Sequence, residues 1–159
     1  MRSYEFIIEG VAQGGEFLYH VTNPLNLIDI IAEGKLSIEW AVDEPTISLT
    51  RDENYRVTTG SVAQIIFKRS VLESMFELEP YVYRHKDDAG NEYETDESEE
   101  RVHGDVPFNN KLVSSVVLIG EITDSVSYNG GNKVITPAKE TEKKILGGLE
   151  KLKIPVTRK

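Results

Sequence analysis

The segment Val113-Ser114-Ser115-Val116-Val117-Leu118-Ile119 constrains this chain more than any other. A near-continuous apolar run of strand length does not suit a sheet face open to water, so it asks for a central place in a covered sheet. Val62-Ala63-Gln64-Ile65-Ile66-Phe67 is a second strong strand candidate. At 159 residues the chain can enclose one core spanning 1–159 and hardly two.

Shorter signals fill in the surroundings. Tyr4 to Ile8 and Phe17 to His20 read as short strands separated by Gly10, Gly14 and Gly15. Asn23-Pro24 opens a helix: Asn23 accepts from free backbone donors, and Pro24 loses nothing in a first turn. Leu27, Ile28, Ile30 and Ile31 give that helix a buried face, and Gly34 suits the left-handed residue that closes it. Thr46 to Thr50 alternates, with Ile47 and Leu49 on one face and Ser48 and Thr50 on the other. Ser70 and Glu73 have capping-box spacing for a short helix through Met75. Asn129-Gly130-Gly131-Asn132 predicts a hairpin between Ser125–Tyr128 and Lys133–Ile135. Pro137 to Leu152 reads as a helix with Ile145, Leu149 and Leu152 inward, weakened by Gly147-Gly148. Strands outnumber helices in a mixed order, which predicts an α+β fold with a mainly antiparallel sheet.

The formal charge of −9 is unevenly spread. Eight acids and no base lie between Asp87 and Glu100, whereas the chain from Lys133 onward carries +5. Like charges and turn chemistry predict a solvated acidic loop at about 86–96, with a basic helix and tail at about 137–159. The chain has no cysteine, which excludes disulfides, thiolate metal sites and thiol nucleophiles. His85 and His103 flank the acidic run without metal-ligand spacing, so no metal is expected. Met1 to Gly10 lacks a basic segment followed by an apolar run, and no run approaches a membrane span. A cytosolic protein without a membrane partner is expected.

Three segments place polar residues where a buried strand would be apolar: Tyr19-His20-Val21-Thr22 with Asn26-Leu27 and Gly34; Ile47 to Asp52; and Glu97 to Val102. The pattern formed by His20, Thr22, Asn26, Leu27 and Gly34 resembles the N-terminal element of ADP-ribosyltransferases, especially the DNA-modifying DarT-type toxins. The resemblance implies that His20 and Thr22 grip the adenosine half of NAD while the helix carrying Asn26 supports the cleft. Ser48 and Thr50 resemble the Ser-Thr-Ser strand that lines the nicotinamide pocket in that superfamily. Glu97 and Glu99 resemble the Glu-x-Glu motif of its arginine-modifying branch, and they precede Val106-Pro107 much as the catalytic Glu of DarT-like chains precedes a Val-Pro stretch. The long aromatic and proline segment of the DNA toxins has no counterpart, and Ser-x-Thr-Arg is not their usual second motif. The resemblance implies a split antiparallel sheet with few short helices and an NAD cleft.

The chemistry is coherent in its own right. Breaking the nicotinamide–ribose bond develops positive charge on the sugar, which a carboxylate beside the ribose stabilises. Glu99 is the candidate for that role, with Glu100 as the competing assignment. On a strand Glu97, Glu99, Arg101 and His103 share one face, so the two glutamates would point together into the cleft and Glu97 would orient or deprotonate an acceptor. Arg51 offers forked donors for an NAD phosphate. The leading expectation is NAD-dependent transfer of ADP-ribose to a macromolecule, as by a phage or bacterial effector. A protein acceptor is favoured over a nucleic acid because no continuous basic groove is visible. The alternatives are a non-catalytic nucleotide- or protein-binding module on the same fold, and an NAD-dependent RNA 2′-phosphotransferase, which would demand more arginines in the cleft.

Overall fold

The computed structural model describes residues 15–41, 45–55 and 61–159, without the side chains of residues 40, 83 and 95–97. The strand expected at Tyr4 to Ile8 lies outside the described residues. Along the chain run β1 (Phe17–Thr22), α1 (Pro24–Glu33), β2 (Lys35–Leu36), a 3-10 turn (Ile38–Trp40), β3 (Ile47–Thr50), β4 (Val62–Lys68) and α2 (Arg69–Met75). There follow β5 (Leu78–Lys86), β6 (Glu92–Val102), β7 (Val106–Pro107), β8 (Val113–Ile119), β9 (Ser125–Asn129), β10 (Asn132–Thr136), α3 (Ala138–Leu152) and β11 (Val156–Arg158). The fold is α+β. Seven strands form one sheet in the order β11-β8-β4-β1-β3-β6-β5, antiparallel throughout except where β11 runs parallel to β8. Two small two-stranded sheets, β2 with β7 and β9 with β10, complete it.

The apolar run at β8 is bonded on both sides, as its composition demands, but it lies second from the edge; β1 holds the middle of the sheet. The short β11 covers its outer side through Val156, Thr157 and Arg158. Leu18, Leu49, Ile65, Phe67 and Val116 of the sheet, Leu27 and Ile30 of α1, and Ile145 and Leu149 of α3 share one buried core. No described helix is long and apolar enough to cross a membrane.

Local chemistry sets the helix ends. The Asn23 side chain accepts from the Asn26 N–H at 2.8 Å, and Gly34 closes α1 at φ 68° with its N–H on the Ile30 carbonyl at 2.9 Å. The capping box expected at Ser70 does not form: the cap position of α2 falls two residues earlier, at Lys68, without a side-chain cap. Arg69 claims Glu73 at 2.7 Å, so that carboxylate does not reach back to the helix start.

The acidic run also departs from expectation. Only 87–91 is a turn, in which Asp87 accepts from the Asn91 N–H at 2.8 Å; from Glu92 onward the chain is strand. A two-stranded ribbon lets charges face solvent while its cross-strand neighbours pair, here Arg84 with Glu94 at 3.0 Å and His85 stacked on Tyr93.

Gly148 explains the glycine pair in α3. A Cβ there would meet Ile31 Cγ2 at 2.5 Å, so the glycine allows α3 to lie close against α1, whereas Gly147 has nothing within 4 Å. Gly148→Ala is expected to lower stability by about 1–3 kcal/mol through overpacking. Gly147→Ala should raise it by up to about 1 kcal/mol through helix propensity. Urea unfolding of both variants checks the opposite signs.

Candidate active site at the split between β1 and β3

The β1–β4 ladder runs the length of β1, but β1 and β3 pair only at Tyr19 and Thr50. Beyond that pair the His20 ring fills the gap, its Nδ1 3.0 Å from the Ser48 carbonyl oxygen. A carbonyl can only accept, so Nδ1 carries the proton and Nε2 of the neutral ring is an acceptor. Burial of the ring lowers the His20 pKa below its ordinary 6.5, against the opposing pull of the Ser48 carbonyl.

A pKa depressed by folding means that the unfolded chain binds the extra proton first. The stability of the neutral site is therefore complete above about pH 6.5 and is lost as the pH falls through the folded value. Urea midpoints followed from about pH 8 to pH 5 should fall more steeply in the native chain than in His20→Gln, which has no group to protonate there. Parallel curves would rule the site out as the source.

Two cavities meet at His20, Val21 and Ser48. The larger, about 620 Å³, is also walled by Thr22 and Asn26 from β1 and α1, Ser37 after β2, and Tyr81 and Arg101 from β5 and β6. The smaller, about 270 Å³, is walled by Tyr19, Thr50, Tyr55 and Glu99. Asp105 steadies the wall around Ser37: it takes Lys35 Nζ at 2.5 Å and the Ile38 N–H at 2.9 Å. The Lys35 bond comes first among the causes that hold the Asp105 carboxyl below its usual pKa.

The register of β3 on β6 decides which carboxylate faces the cleft. Ser48 lies opposite Arg101 and Thr50 opposite Glu99, whereas buried Leu49 lies opposite Glu100. Glu99 Oε1 accepts from Ser48 Oγ at 2.6 Å and from Arg101 Nε at 3.0 Å. The Arg101 guanidinium lies 3.6 Å from the centre of the Tyr81 ring. Between them the strand is bulged: Tyr81 pairs with Glu99 but Val82 with Asp96, and Ser98 stands at φ 54°. Two groups at the end of β3 and just after it hold the bulge through the Ser98 carbonyl, Thr50 Oγ1 at 3.2 Å and the Arg51 N–H at 2.7 Å.

Of the residues singled out by sequence, His20, Thr22, Asn26 and Ser48 converge on the larger cavity, and His20, Ser48, Thr50 and Glu99 on the smaller. The Thr50 hydroxyl is tied to backbone on both sides, since it also accepts from the Asp52 N–H at 3.0 Å. Arg51 is placed differently from its expected phosphate contact. Following Thr50, it turns to the opposite face of β3, where its Nε is 3.9 Å from Glu100 and it walls neither cavity. Glu100 is fully buried, with Arg69 Nη2 at 2.8 Å. The Glu97 side chain lies outside the described residues.

Sequence reasoning missed Tyr81 and Arg101. Arg101, two residues beyond Glu99 on a strand, could have been found from their shared face; Tyr81 needs the register of the ribbon. Among the described residues no group of His, Asp and Glu side chains is placed to hold a metal ion. Arg101 is the one charged side chain among the larger cavity's described walls, and hydroxyl, amide and apolar groups make up most of the rest. That mixture and volume fit a nucleotide-sized ligand.

No family model and no curated protein matches the chain. Solved structures that align with it include two of a DarT protein. Thermus sp. 2.9 DarT in complex with carba-NAD+ is 12% identical over 91% of this chain and 95% of that chain, with a TM-score of 0.47. Thermus sp. 2.9 DarT in complex with NAD+ is 10% identical over the same shares, with a TM-score of 0.48.

Proposed function

We propose that the split between β1 and β3 binds NAD and that the chain transfers ADP-ribose from it to a macromolecular acceptor. The observation that carries this reading is the Glu99 carboxylate, fixed by the Ser48 hydroxyl at 2.6 Å and the Arg101 guanidinium at 3.0 Å beside the neutral His20 ring. Three segments distant in sequence, each resembling an ADP-ribosyltransferase motif, meet there. NAD supplies the activated ribosyl bond. Glu99 stabilises the charge that develops on the ribose as that bond loosens, and it does so without reorganising because its oxygen is already held. Ser48 orients the carboxylate, and His20 offers Nε2 to a ligand hydroxyl. Thr22 and Asn26 shape the end of the larger cavity nearest α1.

The acceptor we favour is a protein, in keeping with a bacterial or phage effector acting in a host cytoplasm; the basic segment from Lys133 makes a nucleic acid the outcome to test against it. Incubating the chain with NAD labelled in the adenylate half and a cell lysate should label a macromolecule and release nicotinamide. Protease sensitivity of the label identifies a protein acceptor and nuclease sensitivity a nucleic acid. NAD bound without cleavage favours a binding module, and neither binding nor cleavage overturns the proposal.

A further inference from the structure

We infer that Arg101 is a positioning residue that acts through Glu99 and is itself carried on the Tyr81 ring. The inference rests on the NAD reading for its consequence, but its geometry stands apart from it. Arg101 and Glu99 are two apart on the same face of β6, and their side chains are mostly covered, at 18% and 23% exposure. A contact at this depth is less screened than a surface ion pair. Arg101 Nε and Ser48 Oγ approach the same oxygen, Oε1. Two donors on one oxygen fix the carboxylate plane and turn Oε2 into a defined direction. Tyr81 lies opposite Glu99 across the ribbon, and its ring supports the guanidinium at 3.6 Å. The long arginine side chain, otherwise rich in rotamers, is thereby held in one.

Four groups thus form a single support for one carboxylate: Ser48 from β3, Arg101 from β6, Tyr81 from β5, and the Ser98 bulge that Thr50 and Arg51 brace. A positioning role predicts a loss in turnover rather than in ligand affinity. Arg101→Ala should lower kcat for nicotinamide release by about 100-fold and change KM for NAD by no more than about twofold. Added guanidinium ion should restore about tenfold of that loss, Arg101→Lys should retain an intermediate rate, and Tyr81→Leu should lose about tenfold.

A second measurement needs no activity. In nitrogen-labelled native protein the Arg101 Nε–H should exchange slowly with water, and Glu99→Ala should abolish that protection. A rise in KM at unchanged kcat would instead make Arg101 a ligand-holding residue and overturn the inference. Absence of guanidinium rescue, or fast exchange of Nε–H in the native protein, overturns it as well. If the native chain releases no nicotinamide, the NAD reading falls, and the exchange measurement alone decides whether Arg101 holds Glu99.

Discussion

Glu99→Gln is expected to release nicotinamide from NAD about 1,000-fold more slowly than the native chain, with NAD affinity kept within a few-fold. Gln has nearly the same shape. Its amide oxygen can still accept from Ser48 Oγ and Arg101 Nε, so the pocket keeps its form. What disappears is the negative charge, which matters only as the ribose becomes positive. An interaction made in the transition state and not in the ground state shows in kcat with little change in binding. A loss that appeared wholly in KM would make Glu99 a binding residue, and an unchanged rate would remove it from the chemistry.

The neighbouring substitution should give the opposite pattern. Glu100→Ala is expected to lower unfolding stability by about 3–5 kcal/mol, because it removes the buried counter-charge of the Arg69 guanidinium and leaves it only Glu73, which is half exposed. Glu100 has no exposed surface, and the Arg69 and Arg51 side chains are 10% and 11% exposed. Urea unfolding measures the loss. Removing both charges together, as Arg69→Met with Glu100→Leu, should recover much of it, since a buried ion pair often exchanges for apolar contact at little cost. A loss below about 1 kcal/mol would show that the pair is not holding the fold. The two adjacent glutamates are thus separable: one changes rate without stability, the other stability first.

The contrast shows which parts of this protein can be read from sequence. Asn23-Pro24 with Gly34, and Asn129-Gly130-Gly131-Asn132, are satisfied within a few residues, and α1 and the β9–β10 hairpin form where those signals stand. In the hairpin both glycines adopt positive φ, 57° and 84°. The three motif segments were legible for a similar reason, since polar residues on strand-like stretches stand out against apolar neighbours. The bulge at Ser98 was not legible, because the groups that hold it, on Thr50 and Arg51, are far away in sequence. The placing of two arginines has the same origin. Arg51 was expected at a phosphate for its forked donors, yet its side chain approaches Glu100. Arg101 was assigned no role from sequence, yet it lies opposite Ser48. The acidic run misled through composition, because charge density argues against burial and not against an exposed ribbon.

NAD titrated into nitrogen-labelled Glu99→Gln protein tests the central claim most directly, since slow turnover leaves the ligand intact while amide shifts report where it binds. The predicted result is saturable shifts at His20, Thr22, Asn26, Ser48 and Arg101, with the β9–β10 hairpin unmoved. No shifts at millimolar NAD, or shifts confined to residues away from the split between β1 and β3, would contradict it.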